Sequence, residues 1–245
     1  MRAMALAIAF LSCIVITGCG GGGSSVAQQS VTTIPEGAYY GKTSNGRTIA
    51  GFILDDGSYW VLYSGLNPSF PGGLIQGTGT ASNGNFSSTN GKDYSFEGLG
   101  ILPVNVSATY VLAASLNGNM KYPSLNQTST FTTTYDKSYE TSPSLAVISG
   151  TYTGSALGDP TTISIANSGS ITGKDSAGCT FSGTTAPRSK GNIYNTSITF
   201  GGYPCQFINT KWSGIAFFDA SSKTIYAISL NSSKDNATVF SGTKP

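Results

Sequence analysis

The residues of this chain that could do chemistry are few. Its acidic side chains form two candidate pairs, Asp55 with Asp56 and Asp93 with Glu97. Two carboxylates flanking a scissile bond are the minimum equipment of a glycoside hydrolase. Each pair also has a plainer explanation. Asp55-Asp56-Gly57 lies between Phe52-Ile53-Leu54 and Tyr59-Trp60, where a hairpin turn accounts for it. Asp93 and Glu97 are four apart, which in a strand places both on one face as solvated surface charge. The chain contains no histidine. That excludes a Ser-His-Asp triad, a Cys-His pair and any zinc site with imidazole ligands. No run of acidic residues has the spacing of a calcium loop. No catalytic residue, metal ligand or cofactor is therefore assigned. The chain is read as a non-enzyme, with a carboxylate-based hydrolase as the alternative.

Aromatic residues supply the other lead. Along Ser58-Tyr59-Trp60-Val61-Leu62-Tyr63, strand alternation puts Tyr59, Val61 and Tyr63 on one face and Trp60 and Leu62 on the other. One face must be core. The other could form a binding platform, since Tyr and Trp are favoured at interfaces, or could pack on a neighbouring module. Trp212 and the pair Phe217-Phe218 pose the same choice. Tyr59, Trp60 and Trp212 are the candidate binding residues, for a protein or glycan ligand. The formal charge of +2, from 13 basic and 11 acidic residues, leaves no electrostatic footprint for nucleic acid. Charged residues at 10% are too few for a helical bundle or coiled coil.

The elements that would position these groups begin after residue 34. Met1-Arg2 precedes an apolar run from Ala3 to Ile16, too short for the roughly 20 residues a membrane-spanning helix needs. A charged start, a short apolar stretch and small residues at the end have the layout of a secretory signal. The end of the run, Ile16-Thr17-Gly18-Cys19, resembles the lipobox of bacterial lipoproteins. That resemblance implies cleavage before Cys19, acylation of its thiol and amine by palmitate-type chains, and stable anchoring through more than one chain. Gly20 and Gly21, rather than aspartate, follow the cysteine, which by the same likeness implies the outer membrane of a Gram-negative bacterium. Gly20-Gly21-Gly22-Gly23-Ser24-Ser25 then opens a polar tether reaching about residue 34, a flexible coil of roughly 20 Å reach. With Cys13 in the signal and Cys19 lipidated, Cys179 and Cys205 remain. In an oxidising compartment such a pair is expected to form a disulfide.

From Ile34 onward, apolar and polar residues alternate over short runs, the pattern of half-buried strands. Thr161–Ile165, Asn192–Phe200 and Thr224–Leu230 are clear cases. Asn45-Gly46, Asp56-Gly57, Asn83-Gly84, Asn90-Gly91, Asn117-Gly118 and Ser168-Gly169 read as the turns between them. The segment Tyr110–Leu116 reads as strand in spite of some helical character. Gly37-Ala38-Tyr39-Tyr40-Gly41 and Gly150-Thr151-Tyr152-Thr153-Gly154 share the pattern Gly-x-Tyr-x-Gly, each opening a strand-rich stretch of about 100 residues. The expected organisation is a signal peptide over 1–18, a lipidated Cys19 and tether over 19–34, an N-terminal β module over 35–140 and a C-terminal one over 144–245. Eight strands can be counted in the second module, which predicts an antiparallel barrel able to fill its centre or hold one small ligand.

The block Gly169–Gly183, with Tyr135-Asp136-Lys137-Ser138-Tyr139 and Ser144-Leu145-Ala146, resembles a signature of uncharacterised proteobacterial outer-membrane lipoproteins. The likeness runs over most of the mature chain and implies no activity. A lipid anchor followed by small β modules is also similar in architecture to transferrin-binding protein B-like and factor H-binding surface lipoproteins. The expectation is an outer-membrane-anchored lipoprotein acting as a binding or envelope-structural component. The alternatives are a carbohydrate-active periplasmic enzyme and a lipocalin-like carrier of a small apolar ligand, which would need an internal cavity.

Overall fold

A computed structural model describes residues 32–66 and 71–245. The expected signal peptide, Cys19 and nearly all of the tether fall outside the described residues. Thr33 and Ile34 are already held by the protein. The Tyr110 hydroxyl donates to the Thr33 carbonyl at 2.7 Å, and Ile34 packs on the first core.

The fold is all-β, built as two antiparallel eight-stranded barrels. The first contains β1 (Gly37–Thr43), β2 (Thr48–Ile53), β3 (Ser58–Ser64), β4 (Pro71–Thr78), β5 (Thr80–Ser82), β6 (Asn85–Ser95), β7 (Gly100–Val111), β8 (Ser115–Tyr122) and β9 (Gln127–Asp136). Strand β1 pairs with both β2 and β9, and β4 pairs with β6, so eight strands close while β5 stays a short appendage of β6. A 3-10 turn (Lys137–Glu140) and one helical turn, α1 (Leu145–Ile148), lead to the second barrel. This comprises β10 (Gly150–Ala156), β11 (Asp159–Ile165), β12 (Ser170–Asp175), β13 (Thr180–Pro187), β14 (Ile193–Phe200), β15 (Lys211–Asp219), β16 (Thr224–Asn231) and β17 (Ala237–Thr243). It runs as an up-and-down series that closes through β10 and β17.

The repeated Gly-x-Tyr-x-Gly has a physical role at each closure. Tyr39 donates to the carbonyl of Pro35 at 3.0 Å, and Tyr152 to that of Ile148 at 2.8 Å. Each hydroxyl thus ties the first strand of its barrel to the chain four residues earlier. The last glycine of each motif lets the closing strand approach: a Cβ on Gly41 would lie 1.9 Å from Thr132 O, and one on Gly154 1.9 Å from Ser241 O.

Four of the six expected turns are turns with glycine at positive φ: Gly46, Gly57, Gly84 and Gly169. The other two are corrections. Asn90-Gly91 is a bulge inside the 11-residue β6, where the register against β7 shifts between Ser88 and Gly91. Asn117-Gly118 lies within β8, with Asn117 Oδ1 accepting the Thr133 backbone N–H at 2.9 Å. Tyr110–Leu116 is not one strand but the end of β7, a tight turn with Ala113 at φ +50, and the start of β8.

A shared hydrophobic layer fuses the barrels. Phe52, Leu54, Trp60 and Leu74 of the first pack against Ile193, Ile215, Phe217 and Leu230 of the second, with the Phe52 and Phe217 rings 5.3 Å apart. At the rim Arg188 bridges Asp55 and Asp56. Tyr94 donates to the Lys234 carbonyl at 3.0 Å.

Candidate functional site

Strand alternation sorts the second barrel into an inner and an outer set. On β14 to β16 the outward residues Ile193, Ile215, Phe217 and Ile228 form the fused layer, while Tyr194, Ala216, Phe218 and Ile225 face inward. Away from that layer the outer positions are polar. Thr151, Thr153, Thr162, Thr172, Lys174 and Thr184 are all exposed. A lipid-spanning barrel needs the reverse, an apolar outer band. The outer wall of this barrel is built for water.

Inside, the barrel is not filled. A cavity of about 200 Å³ is lined by apolar side chains from all eight strands, among them Ile163, Ile171, Phe181, Trp212, Ile225 and Phe240. Small residues create it. Ala216 and Ala227 occupy inward positions where larger side chains would close it. Trp212 is anchored by its indole N–H, which donates to Thr210 Oγ1 at 2.9 Å, and its ring meets Phe200 and Phe207 at 5.6 and 4.9 Å. Phe207 belongs to the loop 201–210, which brings Gln206 and Phe207 against the cavity. The disulfide between Cys179 and Cys205 ties that loop to the start of β13.

One layer of the cavity is polar. Following the ladders across the sheet, Thr185 pairs with Thr196, Thr196 with Gly214, Gly214 with Ser229, and Ser229 with Thr238. Directly paired residues share a face, so four hydroxyl-bearing residues and a glycine form one inward row. All four hydroxyl residues line the cavity. Thr185 and Thr196 are 4% and 8% exposed, and neither hydroxyl has a hydrogen-bond partner. A buried hydroxyl without a partner costs about 1–3 kcal/mol. Among the described lining residues the only charged ones are Asp159 and Asp175.

The first barrel has its own opening, a pocket of about 380 Å³ at one end. Asp93 lies on its wall and is 4% exposed, which corrects the expectation of a solvated charge. Tyr63 donates to one of its carboxylate oxygens at 2.8 Å and Tyr122 to the other at 2.9 Å. Burial pushes the Asp93 carboxyl above its usual range and raises both tyrosines further. Gly73 makes room for this arrangement, because a Cβ there would lie 2.0 Å from the Tyr63 hydroxyl oxygen. At the rim Glu97 accepts from Arg47 at 2.6 Å and from the Leu66 backbone N–H at 2.7 Å, and the Arg47 hydrogen bond holds it below its usual range. Asp93 and Glu97 do share one pocket, but every carboxylate oxygen of the pair already carries a donor.

Of the residues singled out in the sequence, Asp55 and Asp56 lie at the junction of the barrels with Arg188. Tyr59 is inside the first barrel, its ring 5.8 Å from Phe86. Trp60 is in the fused layer, so neither forms an outer platform. Trp212 borders the second cavity. Sequence reasoning missed the hydroxyl row and the Asp93–Tyr63–Tyr122 cluster, because both depend on register between strands distant in sequence. Among the described residues, no group of three or more acidic or cysteine side chains is placed to hold a metal ion.

No family model matches the chain, and no curated protein matches it. Among solved structures, a protein of Bacteroides fragilis, provisionally described as an outer membrane protein, aligns over 88% of this chain and 97% of its own, at 15% identity and a TM-score of 0.27. At that identity and score it carries no weight for fold or function.

Proposed function

We propose that the protein is a non-enzymatic, lipid-anchored binding component of the cell envelope, and that its second barrel is a chamber for one small apolar ligand. The observation that carries the reading is the cavity of about 200 Å³ inside that barrel. Protein interiors are normally packed like crystals, and an apolar void of about 150 Å³ is already large enough to take up benzene. The water-compatible outer wall of the barrel leaves membrane attachment to the N-terminus, which supports lipidation at Cys19 and an outer-membrane location. The satisfied oxygens of Asp93 and Glu97 favour a brace at the first barrel's mouth over a hydrolase.

Thermal unfolding with toluene tests the chamber. Ligand at ten times its Kd stabilises by about 1.4 kcal/mol, or about 3 °C for a body of this size. The wild type should show that shift. Ala227→Phe, which places a ring in the cavity, should not. No shift in the wild type at saturating toluene overturns the chamber. The anchor is tested by labelling cells with a fatty-acid analogue. Incorporation should vanish in Cys19→Ala, and persistent labelling overturns lipidation.

A further inference from the structure

The row Thr185–Thr196–Gly214–Ser229–Thr238 narrows the ligand class. This step rests on the reading of the second barrel as a binding chamber. We propose that the chamber is selective for a neutral molecule of about eight non-hydrogen atoms with an apolar body and a single hydroxyl or carbonyl head, the head being held by Thr185 and Thr196.

Three features support this. First, the two threonines are directly paired across β13 and β14, line the cavity, and carry buried hydroxyls with no partner. Rotation about χ1 turns either hydroxyl inward, where a ligand hydroxyl can accept from one and donate to the other. Ser229 and Thr238 extend the same row on β16 and β17, and Gly214, between Thr196 and Ser229, contributes no side chain to block it. Second, the other polar lining residues are Asp159, Thr161, Asp175 and Gln206, of which Thr161 already donates to the Asp159 carbonyl and Asp175 already accepts from the Cys179 backbone N–H, so a polar head gains most at the unpartnered hydroxyls of the row. Third, the charged lining residues are both aspartates, with no cation among the described lining residues. A carboxylate ligand would place its negative charge beside a lining that holds aspartates and supplies no cation to neutralise it. A fatty acid or another anion is therefore excluded, and an alcohol, phenol or ketone is admitted.

The test is calorimetric titration of the full soluble body with toluene, benzyl alcohol and benzoate, which share a ring and differ in the head. In a featureless apolar cavity toluene would win, because its partner loses a hydrated hydroxyl on entry. In this chamber benzyl alcohol should bind at least as tightly as toluene, and benzoate at least about a hundredfold more weakly. Thr185→Val with Thr196→Val removes both hydroxyls while keeping their shape. It should weaken benzyl alcohol about tenfold and leave toluene unchanged or tighter. The same pair should raise the stability of the empty protein, so a folding defect cannot imitate the result. Benzyl alcohol binding that survives the double substitution overturns the head assignment while leaving the chamber intact. Tightest binding by benzoate also overturns it. Failure of all three ligands removes the chamber itself.

Discussion

Removing the disulfide between Cys179 and Cys205 should cost both stability and closure of the cavity. The two residues are separated by 26 positions. Loop-entropy reasoning assigns such a cross-link about 3.5 kcal/mol at 25 °C. The barrels share one hydrophobic layer and should unfold together, with an unfolding entropy of about 0.45 kcal/mol/K for residues 31–245. The double variant Cys179→Ala and Cys205→Ala should therefore melt about 8 °C lower. The loop 201–210 loses its tie, and Gln206 and Phe207 lose the support that holds them over the cavity. Urea unfolding gives the stability, and hydrogen exchange over residues 201–210 gives the loop. The expected result is a loss of about 3.5 kcal/mol with faster exchange in that loop at conditions where both proteins are folded. A loss under about 1 kcal/mol, or exchange that does not change, would show that barrel closure alone fixes the loop.

Asp93→Asn should reveal the buried carboxyl by its pH dependence. The folded Asp93 binds its proton more tightly than the unfolded one, so its ionisation subtracts stability as pH rises from near 3.8 through the raised folded value. The wild type should gain on the variant as pH falls through that window, read as urea midpoints of the two proteins at several pH values. The opposite slope refutes the assignment. Phe217→Ala should cost about 3–5 kcal/mol, because the ring is buried between the barrels against Phe52, and should separate one calorimetric transition into two. Gly73→Ala should destabilise by displacing Tyr63 from Asp93, and fluorescence-detected urea unfolding checks it. An unchanged midpoint would mean that β4 yields at no cost.

What the sequence reveals follows the range over which each feature is encoded. The strands of the second barrel are short, regular and separated by turns, so period-2 alternation gives their number and places Thr161–Ile165, Asn192–Phe200 and Thr224–Leu230 within two residues of β11, β14 and β16. Closure of the first barrel is not readable in the same way. Taken as a turn, Asn90-Gly91 cuts β6 in half, and only the pairing of β4 with β6 past the appended β5 shows that it is a bulge in a long strand. Alternation separates Tyr59 from Trp60, yet it cannot say which face is inside, because Trp60 is buried by a barrel more than 100 residues downstream. The paired glycine–tyrosine motifs read as a repeat in the sequence, but their role, each tyrosine hooking the chain four residues back, depends on the folded path of the chain. The cavity depends on where Ala216, Ala227 and Gly214 fall in the register, which no local pattern specifies.

The most direct test of the chamber uses its own reporter. The chain has two tryptophans, Trp60 and Trp212, so Trp60→Phe leaves only the one on the cavity wall. Bromobenzene, a heavy-atom quencher of the right size, is titrated against its fluorescence. The account predicts quenching that saturates and is reversed by benzyl alcohol. Quenching that rises linearly without saturation and ignores benzyl alcohol would contradict it.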